Sequence, residues 1–324
     1  DIPVPLPRMK YTEALERFGS DKPDTRFGME ITDLTDVVKD CGFGVFTSAI
    51  TNGGTVRCIT AKNGASTFTR KEIDKLTEYV KGIGVKGLAY IRWVEDAPNC
   101  SFGKFLGEGE LDKILAAAGA EKGDVVFIIA DKKNTALTSL GALRLKCARQ
   151  LNIIPEGKFN FLWITEFPFF EWNEETQHWD AMHHPFTMPM DECLQYLDTA
   201  PEKVFAKAYD LVLNGTELSS GSIRITDYEL QQKMFESLGL TDEEIEAKFG
   251  FLVEAYKYGA APHGGMGIGL DRLAMIMCGA DSLRDVTAFP KVQNASELMS
   301  NCPAAVDKDS LDILGIEVTK SEDE

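Results

Sequence analysis

The dipeptide Asn214-Gly215 constrains this chain more than any other feature. It lies inside an alternating stretch, Ala208–Thr226, and Asn-Gly is the strongest two-residue hairpin signal because both residues accept left-handed backbone angles. If it closes a two-residue turn, Leu213 faces Thr216 and Val212 faces Glu217. Cross-strand neighbours share a face of the sheet. Asp210 and Glu217 then lie diagonally on one face, within reach of one hard cation. Such paired carboxylates suit Mg2+ held against phosphates, and they equally suit two solvated acids. Simple alternation puts Arg224 on the opposite face, so a shared site needs a break in phase. Ser219-Ser220-Gly221 is the expected bulge, since glycine commonly marks one. An arginine beside the acids suits a carboxylate substrate, and it also suits a surface ion pair.

A second pattern is the glycine ladder His263-Gly264-Gly265-Met266-Gly267-Ile268-Gly269-Leu270-Asp271-Arg272. In a strand, Met266, Ile268 and Leu270 would pack on one side, leaving Gly265, Gly267 and Gly269 bare on the other. A bare face lets a flat ring approach the backbone, and Arg272 near a helix start could meet phosphate with a forked donor. The spacing is wrong for a dinucleotide fingerprint, and the Gly-Lys-Ser/Thr of a phosphate-binding loop is missing. A tightly packed structural glycine strand fits the same letters. His183-His184-Pro185 reads as a loop whose imidazoles could hold a carboxylate or serve the loop alone. His178 and His263 carry no assigned role.

The net charge of −17 argues against a general nucleic-acid binder, which would carry a basic face, while leaving room for a local basic patch. The seven cysteines form no CxxC pair, so small buried thiols in a reducing compartment are expected rather than a zinc or disulfide framework. No apolar run is long enough to span a membrane. The acidic tail Ser321–Glu324 is expected to be frayed and solvated.

Along the chain, Tyr11–Phe18 reads as a short helix, followed by the charged turn Gly19–Arg26. Phe43–Ile50 and Thr55–Ala61 read as strands joined across Thr51–Gly54. Arg70–Ile83, Glu110–Ala118 and Thr135–Leu151 read as helices, and Gly87–Val94 and Asp124–Ala130 as strands. Phe159–Trp172 reads as a strand interrupted by Pro168, with Trp179–Met182 as its hairpin partner. Helices are expected at Tyr228–Leu238, Asp242–Tyr258 and Leu270–Cys278.

Gly265–Arg272 resembles motif 3 of class II aminoacyl-tRNA synthetases. Together with Gly19–Arg26, Ala181–Thr187 and Asn214–Ile225, in this order, it resembles the bacterial-type aspartyl-tRNA synthetases. The resemblance covers nearly the whole chain. It implies an α+β fold, a class II antiparallel sheet with flanking helices, carrying an inserted GAD-type α+β domain. The implied boundaries are a catalytic segment at 1–28, the insertion at 29–150 and further catalytic domain at 151–324. By resemblance, His183 and Arg224 would bind L-aspartate with His184 close behind, and Asp210 and Glu217 would hold Mg2+ and ATP. Gly269, Leu270, Asp271 and Arg272 would line ATP, with Arg272 and Glu217 as the catalytic pair. The family further implies a cytoplasmic homodimer acting on tRNA for aspartate, with tRNA for asparagine left open. Ser219 and Ser220 depart from glycines common in the family. Motifs 1 and 2, the aspartate-binding loop and the anticodon barrel are expected upstream of Asp1, so a near-inactive fragment is expected. The rival is a non-catalytic tRNA-binding or amidotransferase-associated module, since such subunits share the insertion but need not keep His183, Glu217, Arg224 and Arg272 together. Asparaginyl- and lysyl-tRNA synthetases lack the insertion.

Overall fold

The computed structural model describes residues 2–94 and 96–319, so the tail Ser321–Glu324 lies outside the described residues. The chain forms two compact units, residues 1–268 and 269–324.

The first unit holds two five-stranded sheets and a small hairpin. Its elements are β1 (Arg8–Lys10), α1 (Tyr11–Phe18), β2 (Thr32–Asp33), α2 (Thr35–Val38), α3 (Gly44–Thr51), β3 (Thr55–Ala61) and α4 (Arg70–Ile83). Then come β4 (Ala89–Arg92), β5 (Asn99–Cys100), α5 (Glu110–Ala117), β6 (Val125–Asp131) and α6 (Lys133–Gln150). The rest are β7 (Phe161–Pro168), β8 (Phe170–Asn173), β9 (His178–Ala181), β10 (Phe205–Leu213), β11 (Thr216–Ile223), α7 (Tyr228–Ser237), α8 (Asp242–Lys257) and β12 (Gly264–Ile268).

One sheet runs β2-β3-β6-β4-β5 and is antiparallel throughout. Alternation along β3 and β6 sorts its apolar side chains to two faces. Ile59, Phe127 and Ile129 pack with Ile73, Leu76 and Val80 of α4 and Leu140 and Leu143 of α6. Val56, Cys58, Val126 and Ile128 pack with Val38, Phe46 and Ile114. Burial on both faces explains why β6 reads as an unbroken apolar run.

Phe43–Ile50 corrects the strand expectation, because Gly44–Thr51 is a helix. Phe43, Phe46 and Ile50 have helical spacing, and Phe46 is buried edge-on against Phe43 and Phe102. Thr51 and Asn52 donate to the carbonyls of Thr47 and Ser48, and the Gly53 and Gly54 N–H groups close the helix end. The Thr51–Gly54 segment therefore stops a helix instead of turning a hairpin.

The other sheet runs β1-β7-β10-β11-β12, antiparallel apart from the parallel β1/β7 pair. Its core joins Leu162, Ile164 and Phe167 to Ala206, Ala208 and Val212, with Ala14 and Met234 from the covering helices. The Phe159–Trp172 stretch divides after Pro168, which has no N–H for a ladder, and β8 pairs with β9. Thr241 and Glu244 form a capping box that starts α8.

The second unit contains α9 (Leu270–Cys278) and α10 (Lys308–Leu314). Gly279, at φ 64°, closes α9 in the left-handed conformation that glycine adopts without strain.

Candidate functional site

The β10/β11 hairpin has the register that its turn predicts, with Leu213 opposite Thr216 and Val212 opposite Glu217. The bulge sits earlier than expected. Leu211 pairs with Ser219, leaving Leu218 as the extra residue, whereas Ser219–Gly221 pair regularly. Leu218 is apolar and buried, and burying it is compatible with the local change of phase. From there alternation runs Ser220, Ser222, Arg224, so Glu217 and Arg224 share the face that carries Asp210. Gly221 serves a different need. A Cβ there would lie 2.1 Å from the Gly265 carbonyl oxygen, so glycine lets β12 close on β11.

Gly265 and Gly267 have open space where a Cβ would point, so that side of β12 is bare as expected. The packed side is a correction, since Met266 and Ile268 are 42% and 59% exposed and Leu270 is 73% exposed. Met266 and Ile268 lie on the edge strand of their sheet, where fewer neighbours can cover them. Leu270 belongs to the first turn of α9.

Asp210 is 5% exposed, and its Oδ1 is buried without a hydrogen-bond partner. Burial lifts its carboxyl above the ordinary carboxylate range, and the charges of Glu217 and Asp21 push the same way, while Ser220 and His183 oppose them. An orphaned buried oxygen is costly unless something satisfies it. Asp210 with half-buried Glu217 offers a hard oxygen pair, which fits Mg2+, an ion usually held by one or two carboxylates plus phosphate oxygens. No group of three or more metal-ligating side chains occurs among the described residues.

The Gly19–Arg26 turn also reaches this face. Lys22 Nζ lies 3.2 Å from Asp21 Oδ2 and 3.8 Å from Glu217 Oε2. Sequence reasoning gave Asp21 and Lys22 no role. Their signal was a charged pair in a proline-bounded turn, with nothing local to say what it faces.

The loop histidines have separate surroundings. His183 is exposed and stands edge-on to Phe167 at 5.0 Å. His184 is half-buried, and its Nδ1 accepts from the Phe186 N–H at 3.2 Å. Arg224 Nη1 lies 3.1 Å from that Nδ1 and also touches Nε2. Burial, then the charges of Arg224 and His183, lower the His184 pKa from 6.5 to about 4, so the imidazole stays neutral beside the guanidinium. The backbone frames this corner, since Arg224 N–H donates to His263 O at 3.0 Å and Gln231 Nε2 donates to Pro185 O at 3.0 Å.

Asp210, Glu217, Asp21, Lys22, His183, His184 and Arg224 thus belong to the first unit, around one sheet face and its adjoining loops. Gly269, Leu270, Asp271 and Arg272 open the second unit. There Gly269 caps α9, and half-buried Arg272 stands in the first turn, where N–H groups lack intrahelical partners.

The family described as tRNA synthetases class II (D, K and N) matches residues 1–293. The chain belongs to the class II tRNA synthetases. Among curated relatives of this synthetase family, the aspartate–tRNA ligase of Ruminiclostridium cellulolyticum is 56% identical over 321 residues, 99% of this chain and 54% of the relative. The aspartate–tRNA(Asp/Asn) ligase of Lachnoclostridium phytofermentans is 53% identical, covering 99% of this chain and 54% of the relative. The chain spans about half the length of the curated synthetases it matches. Among solved synthetases, the aspartyl-tRNA synthetase of Entamoeba histolytica aligns at 25% identity with a TM-score of 0.35, over 48% of this chain and 27% of that one.

Proposed function

We propose that this chain is part of an aspartate–tRNA ligase, which activates L-aspartate with ATP and Mg2+ and passes it to tRNA. Its relatives carry that name, and the carrying observation is the bulge at Leu218, which sets Glu217 and Arg224 over Asp210 on one face. Residues 29–150 would be the inserted domain between catalytic segments at 1–28 and 151–324.

In the first step an aspartate α-carboxylate oxygen attacks the α-phosphorus of ATP, the bond to the bridging oxygen breaks, and pyrophosphate leaves. In the second, a hydroxyl at the tRNA 3′ end attacks the adenylate carbonyl and AMP leaves. The first step needs alignment and charge neutralisation more than a general base. Asp210 and Glu217 would hold Mg2+, which when bound offsets phosphate charge. Arg224 would pair with the substrate's side-chain carboxylate, held in place by neutral His184, while His183 meets the same amino acid. Gly269, Leu270 and Asp271 would line the nucleotide, and Arg272 would contact its phosphates. Relatives named aspartate–tRNA ligase and aspartate–tRNA(Asp/Asn) ligase match at 52% and 53% identity, so both tRNAs stay within the proposal. A cytoplasmic homodimer completes it, and no described helix is long and apolar enough to cross a membrane.

Titration calorimetry tests this reading. Glu217→Ala is expected to weaken Mg2+–ATP binding at least about tenfold and Arg224→Ala to weaken L-aspartate binding similarly, the loss of one charge-assisted contact each. Unchanged affinities in both variants would remove these residues from the site.

A further inference from the structure

Lys22 and Asp21 sit on a loop that touches both the acidic face and a distant helix. At one end, Gly19 (φ 65°) is wedged on α6, where a Cβ at Gly141 would stand 2.4 Å from the Gly19 carbonyl oxygen. At the other, buried Arg144 of α6 donates from Nη2 to the carbonyls of Asp24 and Phe27, each at 2.9 Å. Its guanidinium lies 4.0 Å from the Phe27 ring centre and 4.9 Å from that of Phe18. Between these anchors, Asp24 is buried and takes a forked bond from Arg26. The hairpin turn completes the clamp, since a Cβ at Gly215 would meet the Asp24 Cβ at 3.1 Å. Lys22 therefore leaves a fixed backbone, while its own side chain is 44% exposed and can swing.

We propose that Lys22 is a positioning residue, a place-holding cation for the Asp210/Glu217 pair, and that α6 holds it there through the Gly19–Gly28 loop. The proposal rests on the reading of that pair as a divalent-cation site. Lys22 stands 3.2 Å from Asp21 and 3.8 Å from Glu217, and the charges of both those carboxylates act on Asp210. Its single charge keeps Glu217 turned toward Asp210, and it must yield when a divalent ion enters, so lysine and metal compete. Residues of α6, which carry none of the site's acids, thereby govern how strongly the site holds a cation.

Titrating the 324-residue chain with Mn2+ alone, read as loss of the free-ion EPR signal, tests this. Lys22→Met is expected to bind Mn2+ about three- to tenfold more tightly than wild type, the scale of one charge removed at about 4 Å in water. Lys22→Arg keeps the wild-type value. Gly141→Ala, which drives a methyl into Gly19, moves the affinity toward that of Lys22→Met, and the double variant matches Lys22→Met. Arg144→Lys, which keeps the charge but loses the forked carbonyl bonds, stands in if Gly141→Ala does not fold. Equal affinity in Lys22→Met and wild type, with Glu217→Gln strongly weakened, overturns the proposal and spares the metal pair. Binding that Glu217→Gln leaves unchanged overturns the metal pair itself. Additive effects of Lys22→Met and Gly141→Ala would sink the link through α6.

Discussion

His184 is held neutral by a position that combines partial burial with a neighbouring guanidinium, and this has a pH signature. Its folded pKa, about 4, lies below the ordinary 6.5, so the unfolded chain binds its proton first. The contribution to stability is then fully present above about 6.5 and is lost as pH falls toward about 4. Comparing thermal midpoints across that window, His184→Gln is expected to show a shallower acid decline than wild type. Parallel curves would mean the imidazole is protonated in the folded protein. Asp210 works in the opposite sense, because its raised carboxyl favours the proton in the folded state and eases as pH falls. The subtraction of wild type from the His184 variant separates the two. The identities of these residues were readable in advance, because charged and imidazole groups stand out in any sequence. Their partners were not. The contact of Lys22 with Glu217 joins positions remote along the chain, and no local pattern encodes it.

At the level of elements, the β10/β11 hairpin was legible because a two-residue turn dictates the register of everything it joins. Its bulge was only half legible. The need for a phase break followed from Glu217 and Arg224, but its place depended on where Leu218 could be buried, which is a tertiary matter. Gly221 attracted the wrong explanation, since its missing side chain makes room for a neighbouring strand. Gly221→Ala is therefore expected to cost about 1–3 kcal/mol in denaturant unfolding, the scale of overpacking, while Gly267→Ala stays within about 0.5 kcal/mol. Equal costs would show that β12 does not press on β11. Gly44–Thr51 was misread because its β-branched and aromatic residues favour strands in isolation. Packing of Phe46 against two other aromatic rings outweighs that preference.

At the level of the molecule, a net charge of −17 surrounds a site proposed to gather ATP, aspartate and tRNA, all anionic. Local cations must then oppose the general field, which gives Lys22 and Arg224 a burden beyond their contacts.

The clamp on the Gly19–Gly28 loop bears on the order in which the molecule assembles. Its contacts join Gly19 to Gly141 and Asp24 to Gly215, pairs far apart in the sequence. Such closures are slow, because chain entropy is lost before any contact repays it. During synthesis from the N-terminal end, Lys22 emerges from the ribosome long before Glu217 exists to meet it. Helix α6 offers the loop its first docking surface, and the acidic strands arrive last, onto a cation already in place.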